Sequence, residues 1–202
     1  MFSTNLHLCP EISVHDRISS AGKHLFFLLG FDNASVQAIC REAKASELQF
    51  QEHFESKEAL LSGIFEEAWS SLLSPENLQA PNSPQKQLKN LARAITALFR
   101  HDRELRDLLL LEGRRVRSGE MMMFTPSYTD VIALMDSLLQ SAMRESGSDS
   151  DVHLLRSCLT GAFEGLLRDL TLQERFGYPV SYSPEKAEQF AAELIDRLFP
   201  AA

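Results

Sequence analysis

Three guanidinium groups within four residues, Arg114, Arg115 and Arg117, are the densest concentration of one chemistry in this chain. Each can donate in parallel to a carboxylate or phosphate, so the cluster suits an anionic ligand group. More commonly such a run is a solvated helix end paired with acids, here Glu112 and Glu120. Catalytic chemistry has no comparable focus. His24, His53, His101 and His153 are scattered, and His7 and Cys9 are two lone ligands near the N-terminus. Cys9, Cys40 and Cys158 are far apart, odd in number and without a CxxC pair. They read as reduced thiols, not as a disulfide frame or a zinc site. GxSxG, HExxH and glycine-rich phosphate-loop patterns are missing. The sequence therefore predicts a non-enzyme without cofactor or metal.

The 202 residues allow one domain or two small ones, and 44% hydrophobic with 24% charged residues is ordinary for a globular protein. A net charge of −8 disfavours non-specific attraction to nucleic acid over the whole surface, while leaving room for a local basic patch. No run approaches the roughly 20 apolar residues of a membrane span. MFSTNLHLCP lacks a basic region before an apolar core. A cytoplasmic protein with no membrane contact is expected.

The elements that position these residues are helical. Ile12, Ile18, Ala21, Leu25, Phe26 and Leu29 recur at helical spacing, and Gly30 stops the run. A short helix over about 35–43 follows, capped by Asn33 or Ser35, and another spans about 46–53. Ser56 then caps a long helix carrying Leu60, Leu61, Ile64, Phe65, Ala68, Trp69 and Leu72. SPENLQAPNSPQ, with Pro75, Pro81 and Pro84, is the clearest linker. Beyond it the spacing predicts helices near 88–99, 105–117 and 127–145. SGSDSD is a solvated loop ending in a cap, followed by a long stripe from Val152 to Leu170. A last helix has Ser183 as cap and Pro184 and Glu185 in its first turn. No alternating strand pattern of useful length appears, so the fold class is all-α with about nine helices.

Ile18, Ala21, Phe26, Gly30, Phe31, Val36, Ile39, Glu42, Ala43, Ser46 and the closing run HFESKEALL from His53 to Leu61 resemble the N-terminal domain of TetR-like (tetracycline-repressor-type) transcriptional regulators. The resemblance implies a three-helix helix-turn-helix DNA-binding domain over residues 1–55. A larger helical effector-binding and dimerisation domain would follow over 56–202. It implies a homodimer whose second helix of the motif enters the major groove of operator DNA. By position, Ser35, Lys44, Ser46, Glu47, Gln49, Gln51, Glu52 and Lys57 are the DNA-facing residues, with Ser35, Ser46 and Lys57 toward phosphate. Lys57 also reads as an ordinary solvated lysine.

The chain departs from the family pattern at four positions. Gln51 stands where a tyrosine is usual, Lys44 where the turn usually has glycine, Leu48 where a small residue is common, and Ala34 where a threonine is common. Over residues 1–61 five bases face eight acids, a net charge of −3. A head that approaches a polyanion normally offers more cations. Two functions follow: a ligand-responsive, DNA-binding regulator, or a dimeric sensor or interaction module with weakened or lost DNA binding.

In the resembled family the C-terminal domain binds a small-molecule effector and carries the dimer interface. The effector-site candidates are Phe65, Trp69, Phe99, Arg114, Met122, Phe124, Tyr128 and Phe163, aromatic and flexible side chains that suit an adaptable cavity or an ordinary core. The dimer candidates are Leu159, Gly161, Gly165, Leu166, Phe190 and Leu194 on the last two helices. Packing within one protomer is the competing reading of the same stripe.

Overall fold

A computed structural model describes residues 12–74, 83–117 and 119–199. Most of the proline linker, the N-terminal arm with His7 and Cys9, and the last three residues lie outside that range. Nine helices are present among the described residues: α1 (Val14–Leu29), α2 (Val36–Ala43), α3 (Glu47–His53), α4 (Lys57–Leu72), α5 (Pro84–His101), α6 (Arg103–Leu111), α7 (Pro126–Ser146), α8 (Val152–Phe176) and α9 (Pro184–Leu198). The chain divides into two compact units, Met1–Leu61 and Ser62–Ala202.

Local rules explain most boundaries. Ser13 caps α1 by accepting from the Asp16 N–H at 3.0 Å, which leaves Ile12 exposed ahead of the helix and not part of it. Gly30 ends α1 at φ +79°, its N–H bonded to the Phe26 carbonyl at 3.0 Å. Asp151 caps α8 through the His153 and Leu154 N–H groups, and Ser183 caps α9 through the Lys186 N–H. In the first unit α1, α2 and α3 pack on one another around Ile18, Phe26, Ile39 and Phe50. Gly22 is required by a close approach, because a Cβ there would sit 2.5 Å from a Leu60 methyl group.

In the second unit α5 packs on α9, α7 and α8, and α6 packs on α8. The expected helix over 105–117 is shorter than its apolar spacing suggests. It ends at Leu111, where the Glu112 and Gly113 N–H groups both close onto the Leu108 carbonyl. The chain then forms a small antiparallel ribbon, β1 (Val116–Arg117) with β2 (Glu120–Met121), around Gly119 at φ +86°. This ribbon is a local addition to the all-α fold; two residues per strand are too few for periodicity to register. Gly113 is needed for close approach, since a Cβ would meet the Leu109 carbonyl at 2.9 Å and the Phe65 ring at 3.2 Å.

One polar cluster lies inside this unit. Arg106 and Asp107, each 1% exposed, sit side by side on α6. The Asp107 carboxylate accepts from Thr171 Oγ1 at 2.8 Å, Arg175 Nε at 2.6 Å and Arg106 Nε at 3.4 Å. Arg106 also donates to Thr171 at 2.9 Å and to Glu174 at 2.6 Å. Removing one member would leave buried donors or acceptors of the others unsatisfied. Asp107→Ala is expected to lower unfolding stability by about 3–5 kcal/mol, measured by urea denaturation. A loss comparable to a surface substitution would contradict this role.

Candidate functional site

The helix-turn-helix of the first unit is built from two serine caps and one strained lysine. Ser35 opens α2, its Oγ accepting from the Ala38 N–H at 3.1 Å. Lys44 ends α2 in the left-handed region, φ 52° and ψ 46°, the sole non-glycine with positive φ among the described residues. The turn expected of glycine is therefore kept by a lysine. The next residue, Ala45, bonds back to the Cys40 carbonyl at 2.9 Å and directs the chain into α3.

A reciprocal capping box starts α3. Ser46 Oγ accepts from the Gln49 N–H at 3.1 Å, and Gln49 Oε1 accepts from the Ser46 N–H at 2.9 Å. The S-x-x-Q spacing of Ser46 and Gln49 was a readable signal for this cap, and it changes the role open to Gln49. Its side-chain carbonyl serves the helix instead of pointing outward. Phe50 is buried on the inner side of α3, while Glu47, Leu48, Gln51 and Glu52 are exposed. His53 closes α3 with its ring against His15 of α1, centroids 5.6 Å apart, and His15 stacks on Phe54 at 5.0 Å.

Lys57 is held by protein groups. Its Nζ donates to the carbonyls of Phe31 at 2.8 Å and Ala34 at 3.0 Å, and lies 4.5 Å from the Phe31 ring centroid. Two of its three N–H donors thus fasten the loop between α1 and α2. Arg17 also turns inward, onto the carbonyls of Ala43 at 3.0 Å and Ile12 at 3.1 Å. Of the five bases in this unit, Arg41 and Lys44 are the exposed ones. The hydroxyls of Ser35 and Ser46 accept from the helix and retain their O–H for donation.

The second unit holds a cavity of about 310 Å³, at the lower end of the range for small-molecule sites. Five of the eight effector-site candidates line it: Trp69, Phe99, Arg114, Tyr128 and Phe163. Phe65 is buried against Gly113, and Met122 is buried while its neighbour Met123 takes the place in the wall. Phe124 is 58% exposed and stacks on Tyr128 at 5.2 Å. Trp69 meets the rings of Phe99 and Tyr128 edge-on at 5.5 and 5.2 Å. Its indole N–H is buried without a protein acceptor.

The polar part of the wall is Tyr128, Ser157, Thr160 and the ion pair of Arg114 with Glu164. Burial, and next the charge of Glu164, pushes the Tyr128 phenol up from its ordinary value, so it stays a neutral donor. The arginine run is dispersed: Arg114 pairs with Glu164, while Arg115 and Arg117 turn back to Glu112. Glu66 accepts from the Ser127 N–H at 3.0 Å and hydroxyl at 2.7 Å, at the start of α7. Burial alone would raise the Glu66 carboxyl, but the bonds from Ser127 and Thr125 outweigh it and hold it below its usual value.

Leu159, at 2% exposure, serves the unit's own core. Gly161 lines the cavity, and a Cβ on it would meet nothing within 4 Å. Gly165 faces only an Arg168 nitrogen, at 4.0 Å, so neither glycine marks a close helix crossing inside the protomer. Leu166 and Phe190 line a separate, mainly apolar groove of about 480 Å³ with Tyr182 and Ala187. Leu194, on the same helix as Phe190, is half-buried.

Residues 18–64 match the family model described as bacterial regulatory proteins, tetR family, and the head is a TetR-type helix-turn-helix domain. No curated protein matches the chain in sequence. Among solved structures, the fatty acid degradation regulator FadR of Bacillus halodurans shares the fold at TM-score 0.78 and 18% identity, over 93% of this chain and 96% of that one. FadR of Bacillus subtilis, solved with stearoyl-CoA, superposes at 0.75 and 18% identity over 89% and 96%. A transcriptional regulator from Aquifex aeolicus VF5 gives 0.67 and 20% identity over 93% and 100%. The all-α architecture, with a helix-turn-helix head and a helical C-terminal unit, is thus a shared one.

The left-handed turn makes a direct stability test possible. Lys44→Gly removes the Cβ strain at φ 52° and is expected to stabilise the head by up to about 1 kcal/mol, seen as a higher urea midpoint. A lower midpoint would show that the lysine side chain contributes more than its backbone costs.

Proposed function

We propose that the chain is an effector-responsive transcriptional regulator that binds operator DNA as a homodimer, acting as a repressor. The observation that carries this reading is the capped α2–turn–α3 unit lying within the segment that matches the tetR family. The second helix of such a motif presents its exposed side chains to base edges, and exposed serine hydroxyls flanking it suit phosphates. With Lys57 and Arg17 turned onto carbonyls, few cations remain to displace counterions. Affinity should therefore rest on base contacts, with a shallow salt dependence. In a mobility-shift assay with the DNA upstream of its own gene, a shifted band is expected whose affinity falls less than tenfold between about 50 and 200 mM salt, against the roughly 10³-fold or greater loss of a phosphate-dominated binder. No shift at low salt would favour the second reading, a dimeric sensor without DNA binding, which the acidic face of Glu47 and Glu52 supports.

The effector enters the C-terminal cavity by its apolar part. Aromatic walls, the unpartnered Trp69 donor and the neutral Tyr128 phenol suit a mostly apolar molecule carrying an acceptor. An anionic group at Arg114 would compete with Glu164. The stearoyl-CoA bound by FadR of Bacillus subtilis makes acyl compounds the first class to assay.

The dimer forms through α8 and α9. Phe190 is 41% exposed and borders an apolar groove, a liability for a monomer and an anchor for a two-fold interface. Phe190→Asp is expected to convert the dimer to a folded monomer, measured by light scattering after gel filtration. A dimer of unchanged mass would exclude this face.

A further inference from the structure

We infer that Leu48 reads the methyl group of a thymine in each operator half-site, an inference that rests on the DNA-binding reading above. Leu48 is 67% exposed on α3, the largest apolar group on a face otherwise made of Glu47, Gln51 and Glu52. Helical spacing puts Gln51 and Glu52 three and four residues on, beside it on the same face. Packing inside the head does not account for it, since Phe50 fills the buried side of this short helix. Each neighbour restricts what this face can meet. The two carboxylates repel phosphates and can only accept, which suits the amino groups on base edges. Gln51 can pair with adenine through both its donor and its acceptor. Gln49 is left with its amide N–H donors alone, because its side-chain carbonyl holds the Ser46 N–H at 2.9 Å. Leucine has no donor or acceptor to offer. The one apolar group that the major groove displays is the C5-methyl of thymine. Placed among groups that read adenine and cytosine, Leu48 supplies the missing contact to thymine.

Binding duplexes are first selected from random-sequence DNA with the full-length protein. Each thymine is then replaced singly by deoxyuridine, which lacks only the methyl group. At one position per half-site the native protein is expected to bind about fourfold more weakly, the loss of one buried methyl contact. Leu48→Ala is expected to bind thymine and deoxyuridine equally at that position. Its unchanged thermal midpoint would verify an intact head, since the side chain is exposed. Indifference of the native protein to every replacement overturns the inference while leaving DNA binding intact. So does a deoxyuridine penalty that Leu48→Ala retains in full. A selection that yields no binding duplex at low salt overturns the DNA-binding reading itself, and the inference with it.

Discussion

Asp107 is the group on which the C-terminal unit most depends. Its carboxylate, buried on α6, accepts from Arg106 beside it and from Thr171 and Arg175 on α8. A buried charge tolerates few alternative arrangements, because each lost donor leaves desolvation uncompensated. Apolar packing between the same helices could slide by a fraction of a turn at small cost. The network fixes the register of α6 on α8, and α8 in turn carries Phe163, Glu164 and Leu167 into the cavity wall. The end of α6 also sets where the chain turns at Gly113 and where Arg114 meets Glu164.

The head is held by the same kind of economy applied to fewer residues. Its helices are short, so side chains that close backbone groups matter as much as the core. Ser35, Ser46 and Gln49 satisfy helix starts, while Lys57 and Arg17 gather carbonyls from neighbouring segments. Cations that the sequence alone would assign to the surface are thus occupied internally. This sharpens the electrostatic picture: the acidic balance of the head is accompanied by an inward turn of two of its five bases.

What could be read from the sequence was local. The helix starts at Ser35, Ser183 and Asp151 and the stop at Gly30 all follow from residues within a few positions of one another, whereas a left-handed turn at Lys44 was implied by the family resemblance and not by the lysine itself. The aromatic part of the cavity was legible too, because Trp69, Phe99, Tyr128 and Phe163 are bulky and lie on helical stripes. The ribbon after Leu111 escaped because two-residue strands carry no period. Asp107 and Arg106 escaped for a different reason. Their partners lie more than sixty positions away, and nothing in a run such as RELRDLLLL separates a buried charge pair from a solvated one. Lys57 is intermediate: its position was informative, but carbonyls 23 and 26 residues earlier decide what its ammonium meets.

The capping box at the start of α3 limits which of its positions can vary without loss of the helix start. Gln49 lies in the middle of α3, and its side-chain carbonyl closes the start of the helix. Variation at that position would weaken the start of the element itself. Glu47, Leu48, Gln51 and Glu52 carry no such obligation, since their side chains face outward. Substitution at those four positions therefore leaves the helix start untouched, so the outer face of α3 can vary while S-x-x-Q keeps the element intact.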